Sequence, residues 1–243
     1  MGRSWIRRGC CGGCGVVSVS AIIVTRGDQD LTPIWESLPP EWEKIEWNNG
    51  RGYVRVEPTG DPLNTTVTLQ RPDLSVYGRY AAIEYASHDL IYVQDDDVIV
   101  ENPGSLVEEW DRTCLLSSAS HGRDGEHLVA NMPPEFRHDF YTDHCLVGFG
   151  AVFHRDAPAR AFERFIEHHW PGIQPSLYEG SSFLDEARRT ADVVFTALTP
   201  RVLVDVPKTN LPWAEAPDRM YRQPGHLEER TRVLEMARKV RDA

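Results

Sequence analysis

Three consecutive aspartates, Asp95, Asp96 and Asp97, are the residues of this sequence best suited to hold a metal ion. They follow the apolar residues 90–93 and precede a second apolar pair at 98–99, which places them at the end of a predicted strand. Adjacent carboxylates repel one another, and Mg²⁺ or Mn²⁺ relieves the repulsion by taking carboxylate oxygens together with substrate phosphate oxygens. In strand geometry Asp95 and Asp97 point to the same side. The alternative is an acidic turn that only ends the strand.

A second polar segment, TRGDQD from Thr25 onward, follows a β-branched run at residues 16–24 that is a predicted strand. Further along, the predicted elements alternate: a helix at 31–38, strands at EKIEW and YVRV, a helix at 74–87, a strand at VGFGAVF and a C-terminal helix at HLEERTRVLEMARKV. Alternation of this kind favours an α/β fold with a mostly parallel sheet flanked by helices. Because ligands of such sheets bind beyond the carboxyl ends of the strands, Thr25 and Asp95 are expected on one rim.

The composition is that of a protein able to fold without disulfide or metal staples, with 243 residues of which 41% are hydrophobic. The net charge of −11 argues against nucleic acid as a partner. No apolar run reaches the roughly 18 to 20 residues that cross a bilayer, so we expect no transmembrane segment and a cytoplasmic location. Residues 1–15 contain a CxxC pair, but no second pair completes a zinc site, and we expect a flexible tail.

The segment YGRYAAIEYASHDLIYVQDDDVIV resembles the donor-binding half of GT-A glycosyltransferases, in particular exostosin-like and family-two-like members. In that family a DxD motif holds the metal ion that bridges the diphosphate of a nucleotide sugar. The resemblance extends from about residue 19 to about residue 206. It implies a single GT-A-like (Rossmann-like) domain at 16–210, followed by a C-terminal loop and helix at 211–243 that pack on the site or close over it.

The resemblance also implies which residues meet the nucleotide. Thr25 and Arg26 would lie at the nucleobase end of the first strand, and Asn48 with Asn49 would face the base or the ribose. Arg79, on the helix before the aspartates, would point toward the nucleotide; its alternative is an ordinary exposed arginine.

The same resemblance assigns the metal site. Asp95 would contact the ribose or sugar and share the metal, Asp97 would coordinate Mn²⁺ or Mg²⁺, and Asp96 would contribute to either role. His226 would add a metal ligand from a late loop, because neutral imidazole binds Mn²⁺ well. A surface histidine near the start of the last helix is the alternative.

For the acceptor side, the resemblance places the predicted strand with Gly148 and Gly150 beneath the acceptor and makes Asp192 the general base. Asp185 or Glu186 could take the role of general base instead. Alternatively, Asp192 has no chemical role and only caps the start of a helix.

The sequence therefore predicts a metal-dependent hexosyl- or N-acetylhexosaminyl-transferase. It would move a sugar from a nucleotide-diphosphate sugar to an unknown acceptor, a glycan, protein or lipid, held by the loop at 121–144. A sugar nucleotidyltransferase is the enzymatic alternative, although TRGDQDLTP lacks the glycine-rich phosphate loop of that class. A non-catalytic nucleotide-sugar binding domain, in which Asp192 has no chemical role, is the other.

Overall fold

Strand β1 (Val19–Thr25) is buried along both of its faces, as its continuous apolar run requires. Ile22 packs into one core, whereas Ala21 and Ile23 face the opposite side of the sheet. The computed structural model describes residues 17–57, 72–110, 115–117, 147–169, 171, 188–203, 206–215 and 223–243. Within these ranges β1 is the centre from which the other layers are built.

A seven-stranded sheet forms around β1, which pairs in parallel with β2 (Glu43–Asn48) and β4 (Leu90–Asp95). The other strands of this sheet are β3 (Tyr53–Glu57), β6 (Leu115–Ser117), β7 (Ala151–His154) and β8 (Arg201–Leu203). The spatial order is β3-β2-β1-β4-β7-β6-β8. Only β3 and β7 run against their neighbours, so five of the seven strands point in one direction. The predicted mixed, mostly parallel sheet is confirmed.

Helices cover both faces of this sheet. In the described part of the chain they are α1 (Thr32–Ser37), α2 (Gly78–Ala81), α3 (Gly104–Glu109), α4 (Ala157–His169), α5 (Ala191–Leu198) and α6 (His226–Asp242). Residues of α1 and α3 pack on the face that carries Ala21 and Ile23, and residues of α2, α4, α5 and α6 pack on the face that carries Ile22. The predicted helices at the positions of α1 and α6 are confirmed.

A small second sheet lies beside the aspartates. Strands β5 (Val98–Val100) and β9 (Lys208–Asn210) pair in antiparallel fashion. The chain after β9 stays close to the aspartate turn, because Leu211 donates its backbone N–H to the carbonyl of Asp97 at 2.8 Å. Trp213 donates its indole N–H to the carbonyl of Asp96 at 2.7 Å. The backbone of the turn is thus held by residues more than a hundred positions away in sequence.

Two predicted elements differ from the observed ones. The helix predicted at 74–87 is a short α2 between 3₁₀ turns at Ser75–Tyr77 and Ala82–Tyr85, which tighten its two ends. The strand predicted at VGFGAVF begins only at Ala151, because Val147–Phe149 forms a 3₁₀ turn and Gly150 has a φ of 97°. That left-handed backbone suits glycine and interrupts an extended strand.

Some predictions fall on residues outside the described ranges: the tail at 1–15, the acceptor loop at 121–144, and the alternative bases Asp185 and Glu186. Among the described helices, none combines the length and apolarity that a bilayer crossing requires.

Candidate functional site

The carboxyl ends of β1, β2 and β4 meet at one rim of the sheet. The pairing sets Thr25 opposite Asn48 and Val24 opposite Asp95. The polar strand ends singled out in the sequence are therefore neighbours, as the parallel topology predicts. This group of strand ends is called the carboxyl rim below.

Thr25 and Asn48 are both buried, and their side chains shape the chain at this rim. The Thr25 hydroxyl accepts a hydrogen bond from the backbone N–H of Gly27 at 3.0 Å. The Asn48 amide accepts from the N–H of Arg51 at 2.8 Å and donates to Glu46 at 3.0 Å. Both side chains thus hold loops in place at this corner.

Arg26 is the more exposed side chain of the same corner, and its guanidinium lies 3.8 Å from the carboxylate of Asp28. Of Thr25, Arg26 and Asn48, Arg26 is the exposed one, so its side chain is the one of the three that a ligand in solution would meet first.

Asn49 ties the end of β2 to the segment that carries Arg79. Its amide oxygen accepts hydrogen bonds from the Trp47 indole at 2.9 Å and from the Leu74 N–H at 3.0 Å. Its amide nitrogen donates to the Ser75 carbonyl at 3.0 Å. These three bonds fix the start of the helical segment, and with it the position of Arg79, relative to the sheet.

Arg79 and Asp95 form the ion pair at the centre of the rim. The Arg79 Nη2 atom donates to Asp95 Oδ1 at 2.6 Å. The arginine is buried, with a side-chain exposure of 3%, whereas the Asp95 side chain is 41% exposed. The carboxylate also lies directly against Gly148, where a Cβ atom would overlap it. Arg79 therefore supports a solvent-facing carboxylate from beneath.

Asp192 lies on the other side of Arg79, in the first turn of α5, where a helix favours negative charge. Its Oδ2 atom is 3.8 Å from Arg79 Nη1. Its Oδ1 atom accepts a hydrogen bond from the Tyr80 hydroxyl at 3.1 Å. The Tyr80 ring packs edge-on against Phe162 and Phe195, with centroids 5.2 and 5.4 Å away, so the donor is held in place.

These contacts determine the charge of Arg79. Burial by itself lowers the pKa of this guanidinium, but Asp192 and Asp95 outweigh that effect and raise the pKa above its usual value. Arg79 is therefore a fixed cation. Its Nε and Nη1 atoms are buried and make no hydrogen bond within the described residues.

A second buried arginine, Arg230 on α6, was not found from the sequence. It is 6% exposed and lies among the buried residues of α6, with Val233, Leu234 and Ala237. Burial lowers its pKa, Asp192 opposes that effect, and Arg79 adds to it. A charged residue inside an apolar helical stripe is the signal that identifies such a position.

The residues predicted to form the metal site differ in burial and do not all lie together. Asp96 is buried and Asp97 is half-buried, next to the exposed carboxylate of Asp95. His226 starts α6; burial and the nearby Arg230 lower its pKa to about 4. No group of three or more His, Cys, Asp or Glu side chains within the described ranges is arranged to hold a metal ion, so His226 does not gather with Asp95 and Asp97.

Asp95 and Asp97 nevertheless fit the chemistry of Mg²⁺ or Mn²⁺. Ions of this kind need only one or two carboxylates when substrate phosphates and water complete the coordination shell. His226 fits less well, because Arg230 and Arg189 place positive charge around it.

Neither a protein-family model nor a curated protein matches this sequence. Among solved structures, the chain is similar to S. aureus TarS 1–349 in complex with UDP, at 12% identity and a TM-score of 0.40, over 78% of this chain and 58% of that one. A second structure of S. aureus TarS 1–349 gives 11% identity and a TM-score of 0.44, over 91% of this chain and 65% of that one. The chain thus spans less than two thirds of the length of either TarS chain. Both TM-scores lie below 0.5, so this likeness carries no evidence of function.

Proposed function

We propose that this protein is a metal-dependent glycosyltransferase that moves a hexosyl or N-acetylhexosaminyl group from a nucleotide-diphosphate sugar to an acceptor. The observation that carries the proposal is the ion pair of Arg79 and Asp95 at the carboxyl rim, with Asp192 on the other side of the same guanidinium. Such rims are where α/β sheets bind ligands. The resemblance around the three aspartates supplies the reaction class.

The donor is proposed to bind across the carboxyl rim, with its nucleoside near Thr25, Arg26 and Asn48. The exposed guanidinium of Arg26 suits an anionic or polar group of the nucleotide. Thr25 and Asn48 act through the loops that their hydrogen bonds hold.

Asp95 and Asp97 are the residues proposed to hold Mn²⁺ or Mg²⁺, and Asp96 is proposed to contribute either to the metal or to the sugar contact. A bound cation would stabilise the negative charge that develops on the departing nucleoside diphosphate. Arg79 orients the Asp95 carboxylate from beneath, because its 2.6 Å hydrogen bond fixes one of the two oxygens. The other oxygen lies against Gly148, and the Asp95 side chain is 41% exposed.

Asp192 is proposed as the general base that accepts the proton of the acceptor hydroxyl. Its support is the position beside Arg79 and the hydrogen bond from Tyr80, which leaves Oδ2 as the oxygen directed at the charged cluster. General-base catalysis of this kind contributes about 10²- to 10⁴-fold to a rate.

The test is a thermal-shift screen of UDP-, GDP-, ADP- and dTDP-sugars with and without MnCl₂, followed by measurement of nucleoside diphosphate release. We expect a Mn²⁺-dependent stabilisation by at least one donor and slow release of its diphosphate. Asp97→Ala should remove the Mn²⁺-dependent part. Asp89→Ala is the matched control. Asp89 is an exposed aspartate just before the amino end of β4, whereas Asp97 follows its carboxyl end.

Absence of any Mn²⁺-dependent shift across the donors contradicts the proposal. The non-catalytic alternative draws on the burial of Asp192, which is only 6% exposed. Binding without turnover, both in water and with added glycan acceptors, would favour that alternative. Release of pyrophosphate from a nucleoside triphosphate and a sugar phosphate would instead favour a sugar nucleotidyltransferase.

A further inference from the structure

In the part of the chain that the structure describes, two arginines are buried, Arg79 and Arg230, and only Arg79 has a place in the proposed reaction. Arg230 comes from α6, more than thirty residues beyond Asp192 in the sequence. It is 6% exposed, and it occupies a position on the α6 face that also buries Val233, Leu234 and Ala237. That face packs against α5, the helix that carries Asp192.

A buried guanidinium is costly unless a carboxylate compensates it. The charged groups that act on Arg230 are Asp192, Arg79 and Asp95, together with the Tyr80 hydroxyl; Asp192 favours its charged form most strongly, and Arg79 opposes it. The same Asp192 also acts on Arg79. The starts of α5 and α6 lie side by side, because Arg189, three positions before Asp192, donates its Nε–H to Glu229, the neighbour of Arg230, at 3.1 Å. Asp192 Oδ2 also lies 3.8 Å from Arg79 Nη1. Asp192 is therefore the buried carboxylate common to both arginines.

We infer that Arg230 is a positioning residue of the donor site, which holds Asp192 from the side of the C-terminal helix and thereby keeps Arg79 directed at Asp95. This inference rests on the proposed function, since it concerns the same rim. The order of charges along this path is Arg230, Asp192, Arg79 and Asp95, called the charge chain below. Its last member is the exposed carboxylate.

The reason is competition for Arg79. Asp192 stands 3.8 Å from Arg79 Nη1, whereas Asp95 takes Nη2 at 2.6 Å. When Arg230 is present, it attracts the Asp192 carboxylate toward α6, which weakens the pull of Asp192 on Arg79. Without Arg230, Asp192 has Arg79 as its remaining arginine in the charge chain and draws that guanidinium away from Asp95.

The test compares Arg230→Met with Arg232→Met. Arg232 lies on the same helix but is exposed, so the control removes the same charge and keeps the same chain length. The first readout, in the ligand-free protein, is the side-chain Nε–H resonance of Arg79 in ¹⁵N-edited NMR, assigned by its disappearance in Arg79→Lys. The second is the affinity for UDP, GDP and ADP, each with MnCl₂, by calorimetry.

We expect the Arg79 resonance to move in Arg230→Met and to stay in Arg232→Met. The affinity for the nucleoside diphosphate that binds should fall roughly tenfold in Arg230→Met alone, the lower end of the loss usual for residues that orient a ligand-binding group. Arg230→Lys, which keeps the charge without the planar fork, should recover part of the affinity. A purely structural arginine would change the unfolding free energy but neither readout.

A folded Arg230→Met with an unmoved Arg79 resonance and unchanged affinity overturns the inference. If the wild type binds none of the three nucleotides, the proposed function is overturned instead. The Arg79 Nε–H resonance, measured without ligand, then decides the inference by itself. If Arg230→Met does not fold, Arg230→Gln, which also removes the charge but keeps a polar end, takes its place: a moved Arg79 resonance supports the inference, and an unmoved one overturns it.

Discussion

The two ends of the central strands each bury a carboxyl group, but they satisfy it in different ways. At the amino end, Glu43 accepts hydrogen bonds from the Ser20 hydroxyl, the Ser87 hydroxyl and the Ser87 backbone N–H. Ser20 in turn accepts from the backbone N–H of His88 at 3.2 Å. At the carboxyl end, Asp192 and Asp95 face the guanidinium of Arg79.

At the amino end, neutral donors occupy the oxygens of the buried carboxyl group. At the carboxyl end, the carboxylates face a charged arginine that still has unused hydrogen-bond donors. Both oxygens of Glu43 accept hydrogen bonds, from Ser20 of β1 and from Ser87 of the loop that precedes β4, so this carboxyl group has little capacity left for a ligand. Arg79 has buried Nε and Nη1 atoms that make no hydrogen bond within the described residues. Buried polar groups in that condition are costly and are retained where they serve a site.

Asp192→Asn gives the largest expected effect. Loss of this charge leaves the charge chain with two buried arginines and only Asp95 as a carboxylate, and we expect a loss of about 3 kcal/mol in the free energy of unfolding. Sugar transfer should fall by about 10²-fold or more, because the proposed base is gone. Denaturant unfolding and nucleoside diphosphate release measure the two effects.

The matched variant is the double substitution Asp192→Asn with Arg230→Met, which removes one charge of each sign. It should recover part of the lost stability, because the charges of the cluster balance again, while transfer stays low. An Asp192→Asn protein as stable as the wild type would show that the cluster does not depend on charge balance.

Glu43→Gln should have an intermediate effect that is confined to stability. The amide nitrogen of glutamine cannot accept the hydrogen bonds that the carboxyl oxygens accept, so one donor of Ser20 or Ser87 loses its partner. We expect a loss of about 1 to 3 kcal/mol in unfolding free energy. Nucleotide affinity should remain that of the wild type, and a reduced affinity would contradict the distinction between the two ends.

His226→Gln should have the smallest effect, visible only in acid. The folded pKa of His226, about 4, lies below its usual value of 6.5, because burial and Arg230 disfavour the protonated ring. Between pH 6.5 and about 4 the unfolded chain takes up a proton that the folded chain does not, so His226 destabilises the fold as the pH falls.

Unfolding free energies at pH 7.5, 6, 5 and 4 should therefore decline less in His226→Gln than in the wild type. Equal declines would contradict the depressed pKa. Loss of Mn²⁺-dependent nucleotide binding in the same variant would assign His226 to the metal site.

Much of the fold was predictable from local patterns. The β-branched run before Thr25 and the apolar run before the aspartates each predicted a strand, and both strands lie at the centre of the sheet. Neighbours along a strand or helix generate these patterns, so a single sequence reveals them. The turn at Val147–Phe149 was missed because Gly150 adopts a left-handed backbone that an apolar pattern does not indicate.

By itself, the sequence determined that an α/β sheet carries Thr25, Asn48 and Asp95 to one rim, because parallel strands end at the same side. Only the tertiary structure decided that Tyr80 meets Asp192, 112 positions along the chain, and that Arg230 is buried in the same region. Helical periodicity states which face of α5 or α6 is buried. It does not state which charges that face meets, since this depends on how distant helices pack.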